Sequence, residues 1–462
     1  MEFRYWSEKI PYLKELKDFY SGIEHKGINL WPVMAGDVYT YYYFSHIDKI
    51  EEPKKIKRFF IGLKSLFFGD KFEIKGNGKI LVSYFMHRKD HYDLIKSAVS
   101  YFPEGDLIWI DSFKYKQKNI LFRWSIIFPN IFLLLRIWFI FRKKKLKKIL
   151  KNYYWFYILK TYSIYNQIDN LEKIIYDIKP RAYISFCSSA FDKEAILTLL
   201  CKKNSVPTFT LQHGFFSDKT KNFYSSIVQN ENIISDYLLL WGKSSYEIQK
   251  GYVKDKSRLL IVGNPKYNSI RRSVKKFNPR ICTFFFSVPA YRKNNIKILK
   301  ILNFFAQKHP KIVINLKLHP FDNIKNYQKF KKLNNIKFVD KKMVVSELLK
   351  KSDFVIVHNT SVAYEALLYR IPILRFKDKF FADLWKNPDT FKNFNELENL
   401  FLKFKNKKTF NKFINFYEKE RKKHFYFESG KSTPQIYYET IMKKIAKKNY
   451  KNNNSLKPWR VY

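Results

Sequence analysis

From Lys79 onward, short apolar runs alternate with longer stretches whose apolar residues recur at helical spacing. A run without polar alternation reads as a strand buried on both faces, and such strands belong to parallel sheets joined by helices. The runs fall at 79–85, 107–112, 181–187, 207–211, 237–241, 259–263, 281–288, 311–318, 336–339, 354–357 and 372–374. Helical spacing fills 90–100, 191–202, 294–309, 345–351 and 361–369 between them. This alternation predicts an α/β chain with two Rossmann-like domains facing across a cleft, followed by a helical C-terminal segment. A length of 462 residues suits two such domains. The expected division is an N-terminal elaboration over 1–75, a first domain over 76–277, a second over 278–440 and a basic tail over 441–462. A basic, aromatic, mostly helical insertion occupies 118–175 of the first domain.

In open α/β sheets, ligands bind beyond the carboxyl ends of the strands. Four such ends carry cationic, small or hydroxyl residues: Leu211-Gln212-His213-Gly214, Val288-Pro289-Ala290-Tyr291-Arg292, Lys317-Leu318-His319-Pro320 and Asn359-Thr360-Ser361 leading into Val362-Ala363-Tyr364-Glu365. His213 stands where a general base would face a ligand across the cleft, and Gly214 lets the backbone turn there. Its plain alternative is a turn histidine. His319 is held extended before Pro320, where an imidazolium would meet a phosphate oxygen; a lone histidine is as readily structural. The Arg292 guanidinium matches phosphate in a bidentate way, though it is one arginine among many. Thr360 and Ser361 offer hydroxyls at a helix start, and Glu365, one turn in, suits ribose hydroxyls. Helix capping and a dipole role are the alternatives for these three. His87, Arg88 and Asp90 follow the 79–85 strand and form a candidate acceptor side.

The chain has no Gly-rich phosphate loop, no Asp-x-Asp pair at a strand end and no His/Cys metal spacing. The expected chemistry uses neither metal nor cofactor. Its three cysteines, Cys187, Cys201 and Cys282, are scattered and form no disulfide framework, which favours a reducing compartment.

Lys and Arg number 88 against 40 Asp and Glu, a formal charge of +48. Such a field attracts polyanions. Lys, Phe, Tyr, Ile and Asn are abundant together, so compositional drift onto solvated faces is the competing explanation. The segment 124–141 is strongly apolar and leads into Arg142-Lys143-Lys144-Lys145-Leu146-Lys147-Lys148. A spanning helix needs about 20 apolar residues, and Pro129, Asn130 and Arg136 interrupt this one. An interfacial patch on an anionic membrane and a buried core helix are the other readings. A nucleic-acid-binding protein would explain the charge and is an alternative function, but no nucleic-acid module is recognisable and the aromatic residues lie in strand-like runs rather than on stacking platforms, so a nucleic-acid partner is not expected.

The order Gln212-His213-Gly214, Trp241-Gly242, Gly263-Asn264-Pro265, Pro289-Ala290-Tyr291-Arg292, Leu318-His319-Pro320, Ser352-Asp353 to Glu365 and Gly430-Lys431-Ser432 resembles the GT-B transferases of bacterial surface polymers. The nearest group is the CDP-glycerol glycerophosphotransferases with capsule-synthesis and polysialyltransferase-like enzymes. The resemblance covers about residues 180–440. It implies an inverting transfer, with the nucleotide-activated donor on the C-terminal domain and a polysaccharide or lipid-linked acceptor facing the N-terminal one. His213 would be the base, His319, Thr360, Ser361 and Arg292 would hold donor phosphate, and Glu365 would hold ribose. Gln212 stands where that group has Trp, and His358-Asn359-Thr360-Ser361 where it has Asp-Tyr-Ser-Ser. These departures put a nucleotide sugar, such as a CMP-linked sugar acid, on at least an equal footing with CDP-glycerol, and a CDP-polyol phosphotransferase is the alternative. The implied location is cytoplasmic, peripheral on the inner membrane face. A non-hydrolysing sugar-nucleotide epimerase shares the fold and is the rival enzyme.

Overall fold

The computed structural model describes residues 6–46, 72–85, 88–111, 124–144, 146–150, 153–214, 216, 224–267, 279–330, 333–379, 381, 385–386 and 389–452. A two-residue hairpin, β1 (Glu24–His25) with β2 (Ile28–Asn29), precedes two larger sheets. The first contains β3 (Glu73–Lys75), β4 (Ile80–Tyr84), β5 (Leu107–Asp111), β6 (Ala182–Ser185), β7 (Thr208–Leu211), β8 (Tyr237–Leu240) and β9 (Leu259–Ile261). Their order is β3-β5-β4-β6-β7-β8-β9, with only β3 antiparallel to its neighbour. The second contains β10 (Ile281–Phe285), β11 (Val313–Lys317), β12 (Ile336–Phe338), β13 (Phe354–Val357), β14 (Ile373–Phe376) and β15 (Thr390–Phe391). It is wholly parallel, in the order β12-β11-β10-β13-β14-β15.

Helices cover the faces of both sheets, which is why their strands are so apolar. Every residue of β4, β6, β7 and β13 is buried. One core cluster runs through both sheets, from Val82 and Ile184 to Ile356 and Leu374. A second gathers the helices of the first half. The Pro11–Ser21 and Trp31–His46 helices contribute buried residues such as Leu16, Tyr20, Met34 and Val38 to that second cluster. His25 bonds Asp169 at 2.8 Å and Lys26 bonds Glu172 at 2.9 Å, tying the hairpin to the long Tyr154–Ile178 helix.

The strand order places a crevice at the carboxyl end of each sheet. In the first sheet β4 leads to β5 on one side, and the chain then returns to lay β6 on the other. In the second, β10 leads to β11 and β12 on one side, and β13 and β14 lie on the other. Helices following adjacent strands on opposite sides diverge and leave a gap beyond the carboxyl ends. The two gaps are therefore at β4/β6 and β10/β13.

The end of the chain crosses back to the first sheet. Tyr426 N–H donates to the Trp241 carbonyl at 2.8 Å, Thr433 Oγ1 to the Tyr267 carbonyl at 2.9 Å and the Tyr437 hydroxyl to the Gly263 carbonyl at 3.0 Å. The Thr433–Asn452 helix continues this crossover through the first part of the expected basic tail. Gly242 and Gly263 permit the approach. A Cβ at Gly242 would lie 2.5 Å from the His424 carbonyl, and one at Gly263, with φ +90°, 2.6 Å from the Tyr426 oxygen.

Candidate functional site

At the β4/β6 gap, Arg88 precedes the Lys89–Ala98 helix and forks onto Asp90, with Nη2–Oδ2 2.6 Å and Nε–Oδ1 3.2 Å. The Tyr84 hydroxyl fixes this turn by donating to the Arg88 carbonyl at 2.5 Å. Burial opposes the Asp90 charge, but Arg88 holds the carboxyl below its ordinary value. His87 lies outside the described residues. His91 stacks on Phe186, just past β6, with ring centroids 4.8 Å apart. His213 comes from the end of β7 and packs 5.0 Å from Phe186 and 6.1 Å from His91. Its Nε2 lies 3.1 Å from the Gln229 amide nitrogen, which donates to it and leaves the imidazole proton on Nδ1. Burial pushes His213 down to about 3, helped by His91 and Arg88, and His91 down to about 4, helped by Arg88. Near pH 7 both rings are neutral. Gln212 shapes the turn: its amide donates to the Gly214 carbonyl at 2.7 Å and accepts from Trp241 N–H at 2.8 Å.

At the β10/β13 gap, buried His358 lies 3.0 Å from Asp378 through Nε2 and 3.3 Å from Ser287 Oγ through Nδ1. It ties the ends of β10, β13 and β14 together. Thr360 Oγ1 accepts from Val362 N–H at 3.4 Å. Ser361 is exposed and makes no capping bond to the Val362–Leu368 helix. Glu365, one turn in, accepts the hydroxyl of Tyr267, and burial raises its carboxyl above the ordinary value. His319 accepts at Nδ1 from Phe321 N–H at 3.2 Å, so its proton sits on Nε2. Burial and the Arg88 charge push His319 down to about 4. The imidazolium expected at this position is thus a neutral ring, able to offer one N–H to an anion. Arg292 opens the Arg292–Lys308 helix, largely exposed, with Nη2 3.8 Å from Asp322. Asp322 is itself held by the Tyr327 hydroxyl at 2.5 Å.

The two gaps face each other. The Arg88 guanidinium lies over the Phe321 ring at 5.6 Å, and Lys266 Nζ donates to the Asp90 carbonyl at 3.4 Å. The charge of Arg88 acts on His91, His213 and His319, and that of Asp90 on His319 and Glu365. The Arg88–Asp90 pair thus stands between the histidine end of each sheet. Thr360 and Ser361 immediately precede the Glu365 helix; Arg292 lies on the β11 side, beside Asp322. An open hollow of about 250 Å³ borders His213, Ser189, Thr210 and Gln229. Another of about 230 Å³ lies between Gln212, Trp241, Ser244, Tyr364 and His424.

His91 is absent from the sequence reading, although it directly follows Asp90. Its spacing places it on the first turn of a helix, but only the packing of β6 beside β4 brings Phe186 and His213 to it. The Ser352-Asp353 pair proves structural. Asp353 accepts from the Arg280 and Ile281 N–H groups at 2.8 and 2.9 Å, at the amino ends of β10 and β13 and away from the gap. Trp241, Gly242 and Gly263 serve the C-terminal crossover, and Asn264 accepts locally from Lys266 N–H at 3.1 Å.

No family model matches the chain, and no curated protein matches it. Solved structures do. UDP-GlcNAc 2-epimerase from Neisseria meningitidis, bound to UDP-GlcNAc, superposes with a TM-score of 0.50 at 12% identity, covering 79% of this chain and 99% of that one. S. aureus MnaA, in a structure with UDP, gives 0.51 at 14% identity, covering 83% and 100%. A UDP-N-acetylglucosamine 2-epimerase described as putative, from Listeria monocytogenes, gives 0.51 at 9%, with the same coverage. At these identities the likeness shows the fold: two Rossmann-like domains in the GT-B arrangement.

Proposed function

We propose that this chain is an enzyme acting on a nucleotide-activated sugar bound between the two strand-end gaps. The observation that carries this reading is the Arg88–Asp90 pair, placed between neutral His213 and His91 on one side and neutral His319 and the Glu365 helix on the other. The nucleotide would lie over β10, β11 and β13, with its ribose near Glu365 and its phosphates near His319, Thr360, Ser361 and Arg292. The sugar would face His213 and His91.

Any reaction of such a donor that breaks the anomeric C–O bond needs the departing phosphate stabilised. The C-terminal residues serve that need alike for epimerisation and for transfer. Two features favour epimerisation. Two of the superposed solved structures are described as 2-epimerases, one of them bound to UDP-GlcNAc and the other described as putative, and the third, MnaA, holds UDP. Neutral imidazoles facing the sugar also suit a reaction that removes a proton from it and returns one. Transfer to a polysaccharide or lipid-linked acceptor is the second reading, favoured by the order of the His213, His319 and Glu365 motifs, with His213 as sole base.

Thermal shift with UDP-, CMP-, CDP- and GDP-linked donors tests the shared reading, and donor-specific stabilisation is expected. Failure of every donor to stabilise the protein would overturn it. Incubation of the stabilising donor alone in D2O then separates the reactions. Deuterium entering the sugar ring with formation of an epimer supports epimerisation; an unchanged donor consumed only after an acceptor is added supports transfer.

A further inference from the structure

The Trp124–Lys143 helix, inserted between β5 and β6, has two unlike faces. Ile137 and Phe141 are buried, and Phe141 packs its ring 4.8 Å from Phe19 and 6.0 Å from Tyr154. On the other face Phe132 is 73% exposed, Leu135 52% and Phe139 61%. Their spacing of three and four residues makes one continuous stripe along the helix. Among the described residues no other helix exposes three large apolar side chains. Trp155, 52% exposed, follows Tyr154, whose ring packs against Phe141 of this helix.

Cations flank the stripe. Arg136, Arg142, Lys143, Lys144, Lys147 and Lys148 are all exposed. No Asp or Glu occurs between Asp111 and Asp169. Another acid-free run spans 256–321, so charge alone does not single this face out; the exposed apolar stripe beside the cations does. Among the described residues no helix is long and apolar enough to cross a membrane.

We infer that this face docks on the surface of a bilayer rich in anionic phospholipid. Phe132, Leu135 and Phe139 enter the headgroup boundary, while the arginines and lysines contact lipid phosphates. An apolar stripe rimmed by cations suits such a boundary, where the apolar face sinks about 5–10 Å. Juxtamembrane cations add electrostatic attraction at an anionic surface. Duplex nucleic acid would use the cations but leave the stripe in water.

Cosedimentation of the full chain with vesicles tests the inference. Binding is expected to phosphatidylcholine vesicles containing phosphatidylglycerol, and not to phosphatidylcholine alone. The combined variant Phe132→Ser, Leu135→Ser, Phe139→Ser should lose roughly tenfold or more in partitioning even at low salt, with its melting temperature unchanged because the replaced side chains face solvent. The variant Lys143→Gln, Lys144→Gln, Lys147→Gln, Lys148→Gln should lose the preference for phosphatidylglycerol. Wild-type partitioning by the serine variant, equal binding to both vesicle types, or displacement of the protein from vesicles by random duplex DNA would each overturn the inference.

Discussion

The Tyr267 hydroxyl, just past the first sheet, donates to the Glu365 carboxylate on the second. Both groups are held above their ordinary values by burial. The bond clasps the two halves at the mouth of the proposed ribose site. Tyr267→Phe should cost about 1–3 kcal/mol, read as a lower urea midpoint, because it leaves the carboxylate without that donor. Glu365→Gln keeps an acceptor for Tyr267 and should preserve the fold while weakening nucleotide binding roughly tenfold. Unchanged calorimetric affinity in Glu365→Gln would remove the ribose role.

His213 is expected to act on the sugar rather than hold the nucleotide. His213→Asn should lower turnover by about 10²–10⁴ with nucleotide affinity kept, whereas His319→Gln and Ser361→Ala should weaken nucleotide binding. Near wild-type turnover in purified His213→Asn would exclude it as the base.

The depressed histidines predict a pH dependence. His91, His213 and His319 titrate in the fold at about 4, about 3 and about 4, against 6.5 when unfolded. The unfolded chain therefore binds more protons through this interval, and these rings contribute stability that is complete above pH 6.5 and lost as pH falls towards 4. His213→Gln should flatten that part of the melting-temperature curve. Buried Glu194 acts oppositely. Burial pushes it up to about 8, so its contribution is present below pH 4.5 and lost as pH rises through 8. Glu194→Gln should melt progressively higher than wild type over that rise. Parallel curves for variant and wild type would contradict either assignment.

The C-terminal crossover depends on two missing side chains. Gly263→Ala places a Cβ against the Tyr426 oxygen at a backbone angle that L-residues resist. A loss of about 2–4 kcal/mol is expected, together with faster proteolysis over 425–432. Wild-type stability and cleavage would mean that the crossover does not pack so tightly.

Deep in the second half, Arg375 donates to Asp389 at 2.6 Å, and Asp389 also accepts from Trp385 Nε1 at 2.9 Å and the Tyr417 hydroxyl at 3.2 Å. Arg375→Met strands a buried carboxylate and should cost about 3–5 kcal/mol; the double variant with Asp389→Leu should recover much of that loss. Equal urea midpoints for the single and double variants would contradict this.

Much of the architecture is legible in the chain itself. Strands such as β4 and β13 are apolar at every position because helices cover both faces, and that pattern survives without knowing which strand neighbours which. The histidine, arginine and hydroxyl residues at strand ends are legible for the same reason, since a strand end is a local event. Strand order is not local. It arises from helices packing across whole sheets, and it alone puts β6 beside β4, and so His91 beside Phe186 and His213. Protonation likewise belongs to the folded surroundings: His319 is neutral because burial, and then the charge of Arg88 from the other half, oppose its protonation. The roles of Gly242, Gly263 and Tyr267 also come from contacts between segments far apart in the chain, which residue pattern alone does not record.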